Sequence, residues 1–196
     1  MKLTPFEQAV SSEHNEKNSI CSARPIPNLE IKALRSRARQ SVEEGAITKS
    51  YAADREAVIS LLNSALATEL VCVLRYKAHY FSAQGINAES VKKEFLQHAN
   101  EEAAHADRLA QRIVQLGGEP NFSPVGLAER SHAEYVVGAT LKEMIREDLV
   151  AERIAVETYT ELVRYLGDRD PTSRRLLEEI LAQEEEHADE LADLLK

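Results

Sequence analysis

The sequence predicts an all-α protein, a four-helix bundle with a long crossover between its second and third long helices. Three observations lead there. Apolar residues make up 43% of the chain while aromatics make up only 5% and Trp is absent, and the abundant Ala, Glu, Leu and Arg are strong helix formers. The seven Gly and six Pro leave four windows free of both, 46–84, 86–116, 139–166 and 172–196. Within each window apolar residues recur at spacings of three and four, the period of a helix with one buried face. A 28-residue helix is about 42 Å long, and four such rods suit a bundle.

Taken in order, residues 1–51 read as an N-terminal extension. The first 27 mix Ser, Asn, Glu and Pro and are expected to be disordered; a short amphipathic helix over about 29–44, carrying Arg35, Arg37 and Arg39, ends at Gly45. The bundle domain is expected to span 52–196. Its first helix has the stripe Val58, Leu62, Ala65, Glu69, Val73, Tyr76, Tyr80, and its second Val91, Phe95, His98, Glu102, His105, Leu109, Ile113, Leu116. Gly85 and Gly117 stand where left-handed C-caps belong. Gly118 to Ala139 is long enough to run the length of the bundle. The third helix opens on a Thr140-x-x-Glu143 capping box and carries Leu141, Ile145, Leu149, Glu152, Val156, Tyr159, Val163, Leu166. Gly167 ends it, Asp170 and Pro171 begin the fourth, and that helix carries Leu177, Ile180, Glu184, His187, Leu191, Leu194. The short connections 85–87 and 167–170 make two antiparallel hairpins.

Charge and cysteine content narrow the function. Lys and Arg number 24 against 33 Asp and Glu, a net charge of −9, which argues against nucleic acid or an anionic membrane as partner and suits cations. Cys21 and Cys72 are too few for a disulfide scaffold or a four-Cys metal site. The polar start, Met1 to Ser19, shows no secretory signal, and the uncharged run 57–68 is too short to span a bilayer. The expected compartment is the cytoplasm.

Every stripe is apolar except near its middle, where it holds Glu69, Glu102 with His105, Glu152, and Glu184 with His187. Four carboxylates at one depth of an apolar bundle repel one another and cost several kcal/mol each unless paired or bound to metal. No Lys or Arg is expected on the inner stripes near them, so a pair of divalent ions is the expected relief. In each Glu-x-x-His the two side chains leave one helix face together, and this is the ligand set of di-metal carboxylate bundles. An internal repeat strengthens the pattern: Glu69 precedes Glu102 by 33 residues and Glu152 precedes Glu184 by 32, while Tyr76 and Tyr159 each follow a Glu by seven. A third Glu-x-x-His, Glu129 to His132, lies in the crossover without a helical stripe and reads as coincidence.

The stretch from Glu101-Glu-Ala-Ala-His through Gly117-Gly-Glu-Pro-Asn resembles the second helix and following loop of bacterioferritins, in the ferritin-like superfamily. Asn63 to Tyr76 resembles their first helix and Glu184-Glu-Glu-His187-Ala-Asp their fourth. The resemblance covers about 52–196. It implies two iron ions per subunit, with Glu102 and Glu184 bridging, Glu69 and His105 completing one iron, and Glu152 and His187 the other. It also implies Tyr76 beside the site as an electron donor. Two departures stand out. The Met that ligates haem in haem-binding members is replaced by Ala103, which argues against haem, and only nine residues follow His187, too few for the family's fifth helix. The expected assembly is therefore a closed homo-oligomeric cage, a 12-mer ahead of a 24-mer.

Other residues carry plainer expectations. His98 is a hydrogen-bonded core histidine, an outer neighbour of the iron site or an iron entry residue, Cys72 a packing residue ahead of a redox one, and Tyr159 a core aromatic bonded to a ligand carboxylate. Glu101, Glu185 and Glu186 are expected on another face, as solvated or cage-lining acids. The Arg35–Arg39 group suits a subunit contact better than DNA. The expected function is iron storage and detoxification, with a ferroxidase centre oxidising Fe(II) by O2 or H2O2. Alternatives are a rubrerythrin-like peroxidase or di-manganese catalase, and a metal-free structural bundle.

Overall fold

A computed structural model describes residues 29–196; the expected disorder of 1–27, and Cys21 with it, lies outside the described residues. The chain divides into two compact units, 1–35 and 36–196. The short helix α1, Ile31–Arg37, is followed by a 3-10 turn at Val42–Glu44 rather than running on to 44. Ser41, in the left-handed region with φ 48, breaks the helical path between them. Four long helices follow, α2 (Arg55–Ser82), α3 (Ala88–Gln115), α5 (Leu141–Leu166) and α6 (Pro171–Leu194), with the single turn α4 (Leu127–Arg130) inside the crossover. Among the described residues there is no strand.

The helix ends follow from local chemistry. Asp54 accepts from the Ala57 amide at 3.1 Å to cap α2. Thr140 and Glu143 close both halves of the capping box on α5, at 3.2 and 3.1 Å. At the end of α3, Gly117 with φ 79 lets the amides of Gly117 and Gly118 turn back to Val114 and Ile113, a Schellman stop. Gly138 is required by a close approach: a Cβ there would sit 2.3 Å from the Met144 backbone nitrogen.

Helix directions can be read from side-chain pairs. Tyr76 meets His98 and Glu69 meets His105, so residue number falls along α3 as it rises along α2. Tyr76 meets Glu152 and Tyr159 meets Glu69, which sets α5 antiparallel to α2. His98 meets Glu190 and His105 meets Gln183, which sets α6 antiparallel to α3. The order is up, down, down, up, with the crossover joining the two down helices. α2 is long and apolar enough to cross a membrane by composition, yet it buries Glu69, Arg75 and His79 inside the bundle. It is a core helix.

Two apolar clusters fill the interior. One gathers Leu62, Leu66, Leu109, Ile113, Leu166, Leu177 and Ile180, the other Phe95, Val91, Met144, Ile145 and Leu191. On all four long helices the Glu and His residues fall between the two. Ile47 belongs to the first cluster and Tyr51 packs on it, so the stretch before α2 is part of the same compact unit as the bundle.

Beyond the first cluster lies a buried ion pair. Arg112 on α3 donates to Asp170 at 3.0 Å, and Asp170 also accepts from the Ser173 amide and hydroxyl and from Tyr51 Oη at 2.9 Å. Burial pushes the Asp170 carboxyl up, but the Ser173, Tyr51 and Arg112 partners outweigh it and hold it below the usual value. Asp170→Ala strands the Arg112 charge and is expected to cost about 3–5 kcal/mol, read by urea denaturation. Because a lowered folded-state pKa stabilises only where the unfolded carboxyl is ionised, the difference from wild type should be constant above about pH 5. It should shrink as pH falls through the folded value.

Candidate metal centre

Glu69, Glu102, Glu152, Glu184, His105 and His187 come together at one level of the bundle, each no more than 1% exposed. Donor atoms of Glu69, Glu102, His105 and Glu184 lie within 4.8 Å of one another, and so do those of Glu102, Glu152, Glu184 and His187. Glu102 and Glu184 are common to both groups. His105 Nδ1 stands 3.0 Å from Glu184, 3.3 Å from Glu69 and 3.5 Å from Glu102. His187 Nδ1 stands 3.2 Å from Glu102 and 3.8 Å from Glu152.

The tyrosines tie the two hairpins together reciprocally. Tyr76 on α2 donates to Glu152 on α5, and Tyr159 on α5 donates to Glu69 on α2. The imidazole nitrogens facing away from the centre are matched too: His105 Nε2 lies 2.9 Å from Gln183 Oε1, and His187 Nε2 lies 2.8 Å from Glu101 Oε2. Both outer contacts need an N–H at Nε2, which leaves Nδ1 of each ring free to bind a cation. Glu101 therefore does not point to another face, as the sequence suggested; it backs His187. Glu185 and Glu186 are exposed.

Without a cation the cluster is electrostatically strained. Burial and the charge of Glu102 push Glu69 and Glu184 well above the usual carboxylate range. Burial also acts to raise Glu102, but the close approach of Glu69, His105 and His187 brings it below its usual value. For His187, burial pulls the pKa down, but Glu102 and Glu152 outweigh it and carry it up to about 10. Burial and the neighbouring glutamates push both tyrosines up, so they remain neutral donors. Glu102 Oε1, Glu152 Oε2, both oxygens of Glu184 and His187 Nδ1 are buried with no hydrogen-bond partner. Unsatisfied oxygens and an unpartnered imidazole nitrogen converging on one level fit divalent cations, which would take the place of the protons held there.

One expectation is corrected. An arginine does lie on the inner face: Arg75 is buried, and its charge is spent on Asp148 at 2.8 Å and on the Glu134 carbonyl at 2.9 Å. His79 Nδ1 meets the other Asp148 oxygen at 2.8 Å. Sequence reading missed this triad because the stripe was drawn through Val73 and Tyr80, which are only half-buried. The available signal was Asp148, one helical turn before Glu152 and on the same face. Cys72 packs as expected, 3.6 Å from Arg75, and burial pushes its thiol up. Glu129 is exposed, and His132 bonds Thr68 through its backbone amide at 2.9 Å and its ring at 3.3 Å, apart from the cluster.

Comparison with known proteins decides the family. The profile of the ferritin-like domain matches residues 59–196. The chain belongs to the ferritin-like family. It is 35% identical over 134 residues to the bacterioferritin of Brucella melitensis, covering 67% of this chain and 78% of that one. It is 34% identical over 139 residues to a nutrient stress-induced DNA-binding protein of a Synechococcus species, covering 68% and 78%. A dodecameric thioferritin, the bacterioferritin-related protein of Bacteroides fragilis, superposes with a TM-score of 0.71 at 30% identity, covering 74% of this chain and 87% of that one.

If the cluster is a cation site, adding Fe(II) without oxygen, or Co(II), should raise the melting temperature by several degrees through mass action. It should also release protons in weakly buffered solution, because burial and the neighbouring carboxylates favour the protonated forms of Glu69 and Glu184, which a bound cation would reverse. Glu184→Gln removes one ionisable carboxyl from the strained cluster. The metal-free variant should be no less stable than metal-free wild type, and should lose most of the metal-induced rise.

Proposed function

We propose that this protein stores and detoxifies iron, and that Glu69, Glu102, His105, Glu152, Glu184 and His187 bind two Fe(II) per subunit as substrate for oxidation to Fe(III). The observation that carries the reading is the convergence of unpartnered carboxylate oxygens between two metal-sized donor groups sharing Glu102 and Glu184. The shared residues suit a bridging role, and each outer Glu with its His completes one position. Hard carboxylate donors favour Fe(III) over Fe(II), which drives the oxidation. Two Fe(II) supply two electrons, enough with two protons to reduce one O2 to peroxide or one peroxide to two waters. Tyr76 and Tyr159 hold Glu152 and Glu69 in place, and Tyr76 is suited to be the electron donor. With Ala103 where haem-binding relatives carry Met, no haem is proposed.

The dodecameric relative supports a closed homo-oligomeric shell, with twelve subunits favoured over twenty-four, and the acidic balance suits a cavity that holds ferric mineral. A cytoplasmic setting fits the free thiol at Cys72.

Rapid mixing tests the chemistry. Wild type should show a fast absorbance rise that saturates near two Fe(II) per subunit, and Glu102→Ala or His105→Ala should slow it by about 10²-fold or more, the order of losing one group that stabilises charge at a reacting centre. Fast oxidation persisting in the combined Glu102→Ala, Glu184→Ala protein would sink the assignment. Light scattering tests the shell: twelve times the 21.9 kDa subunit mass is expected, and a stable dimer that gathers no mineral would remove the cage.

A further inference from the structure

A second cluster of donors lies outside the six residues, between α3 and α6. His98 is fully buried, while Glu94 and Glu190 are 30% and 37% exposed at their side chains. His98 Nε2 stands 2.9 Å from Glu190 Oε2 and 3.9 Å from Glu94 Oε1. One ligand atom from each of the three residues falls within 4.8 Å of the others. Neighbouring donors around a tetrahedral divalent ion stand roughly 3.4 Å apart for metal–ligand bonds of about 2.1 Å. The two distances at Nε2 bracket that spacing.

Hydrogen-bond bookkeeping at His98 points the same way. Tyr76 has one hydroxyl proton and donates it to Glu152. Its oxygen, 3.1 Å from His98 Nδ1, can then only accept, so Nδ1 carries the N–H. In a neutral ring that leaves Nε2 with a lone pair aimed at carboxylate oxygens, acceptor against acceptor. A cation between them resolves the conflict. A proton needs one carboxylate; the second, Glu94, suits a divalent ion, and the partial exposure of both acids leaves its remaining coordination open to water.

The position gives the site a purpose. The His98 ring stacks on His187, centroids 4.1 Å apart and planes 18° from parallel. His98, Glu101 and His187 also bring donor atoms within 4.8 Å of one another. Donors thus continue from half-exposed Glu94 and Glu190, through His98 and Glu101, to His187 at the edge of the buried cluster.

We propose that Glu94, His98 and Glu190 form a third divalent-cation site, which takes Fe(II) from solvent and passes it along His98 and Glu101 to the two-ion cluster. The passage rests on the function proposed above; the cation site does not. The test is a Co(II) titration by calorimetry and visible absorption. Wild type should bind three Co(II) per subunit, and Glu94→Gln combined with Glu190→Gln should bind two with unchanged affinity, both substitutions lying at the half-exposed rim where folding is not at stake. The same double variant should oxidise limiting Fe(II) several-fold more slowly while still saturating at two per subunit. Equal Co(II) stoichiometry in wild type and double variant would overturn the site, leaving His98 as a hydrogen-bond partner of Glu190 alone. Equal oxidation rates would overturn the passage. A wild type that binds no Co(II) in Glu69, Glu102, Glu152 and Glu184 would instead overturn the function proposed above, read separately as no change in stoichiometry with Glu102→Ala and Glu184→Ala.

Discussion

Four carboxylates and two imidazoles share one level of the bundle between two apolar clusters, and the remaining structure is arranged around holding them there. In an apolar interior each unpaired carboxylate costs several kcal/mol, and here they face one another. The chain answers only partly with its own groups. Tyr76 and Tyr159 each satisfy one oxygen of Glu152 and Glu69, and the imidazoles stand among the acids, yet five polar atoms of the cluster keep no hydrogen-bond partner. This is the pattern of a site that gives up stability for binding, since a fully satisfied network would have nothing left to offer a cation.

Holding the acids level requires four helices to keep register over their whole length, and apolar packing alone permits sliding by a turn. Two buried arginines fix it, one on either side of the cluster. Arg75 joins α2 to Asp148 on α5 and to the crossover at Glu134. Arg112 joins α3 to Asp170 and Ser173 at the start of α6, and Tyr51 closes the same knot from the stretch before α2. Each arginine has a dedicated carboxylate, so neither neutralises the four clustered glutamates. Positive charge is present in the interior but is committed to architecture, which leaves the central demand for cations intact.

The two hairpins repeat one another closely, and their differences matter as much. The Glu, Tyr and Glu-x-x-His positions match in pairs. Behind the histidines they do not: Glu101 backs His187 with a carboxylate, whereas Gln183 backs His105 with a neutral amide. A carboxylate partner makes an imidazole a stronger ligand, so the two halves of the centre are chemically unequal. On the same side as Glu101 lie His98, Glu94 and Glu190, the route by which donors reach the surface.

The sequence by itself determined the four long helices, the capping box on α5, the up-down-down-up order and the six Glu and His residues that meet at one level, because all of these follow from local spacing. A capping box and a Glu-x-x-His turn are each four residues long, and a core stripe repeats within one helix. What only the tertiary structure decided are pairings across helices whose partners are unremarkable in their own segments. Arg75 with Asp148, His98 with Glu190, and Glu101 with His187 join residues 73, 92 and 86 positions apart. Each is a charged or polar residue that a single helix would send to solvent, and on α2 the helical period carries the inner face past Val73 to Arg75 and His79. Burial of such groups is decided by which neighbour arrives to pair with them, and that neighbour is set by packing of the whole bundle.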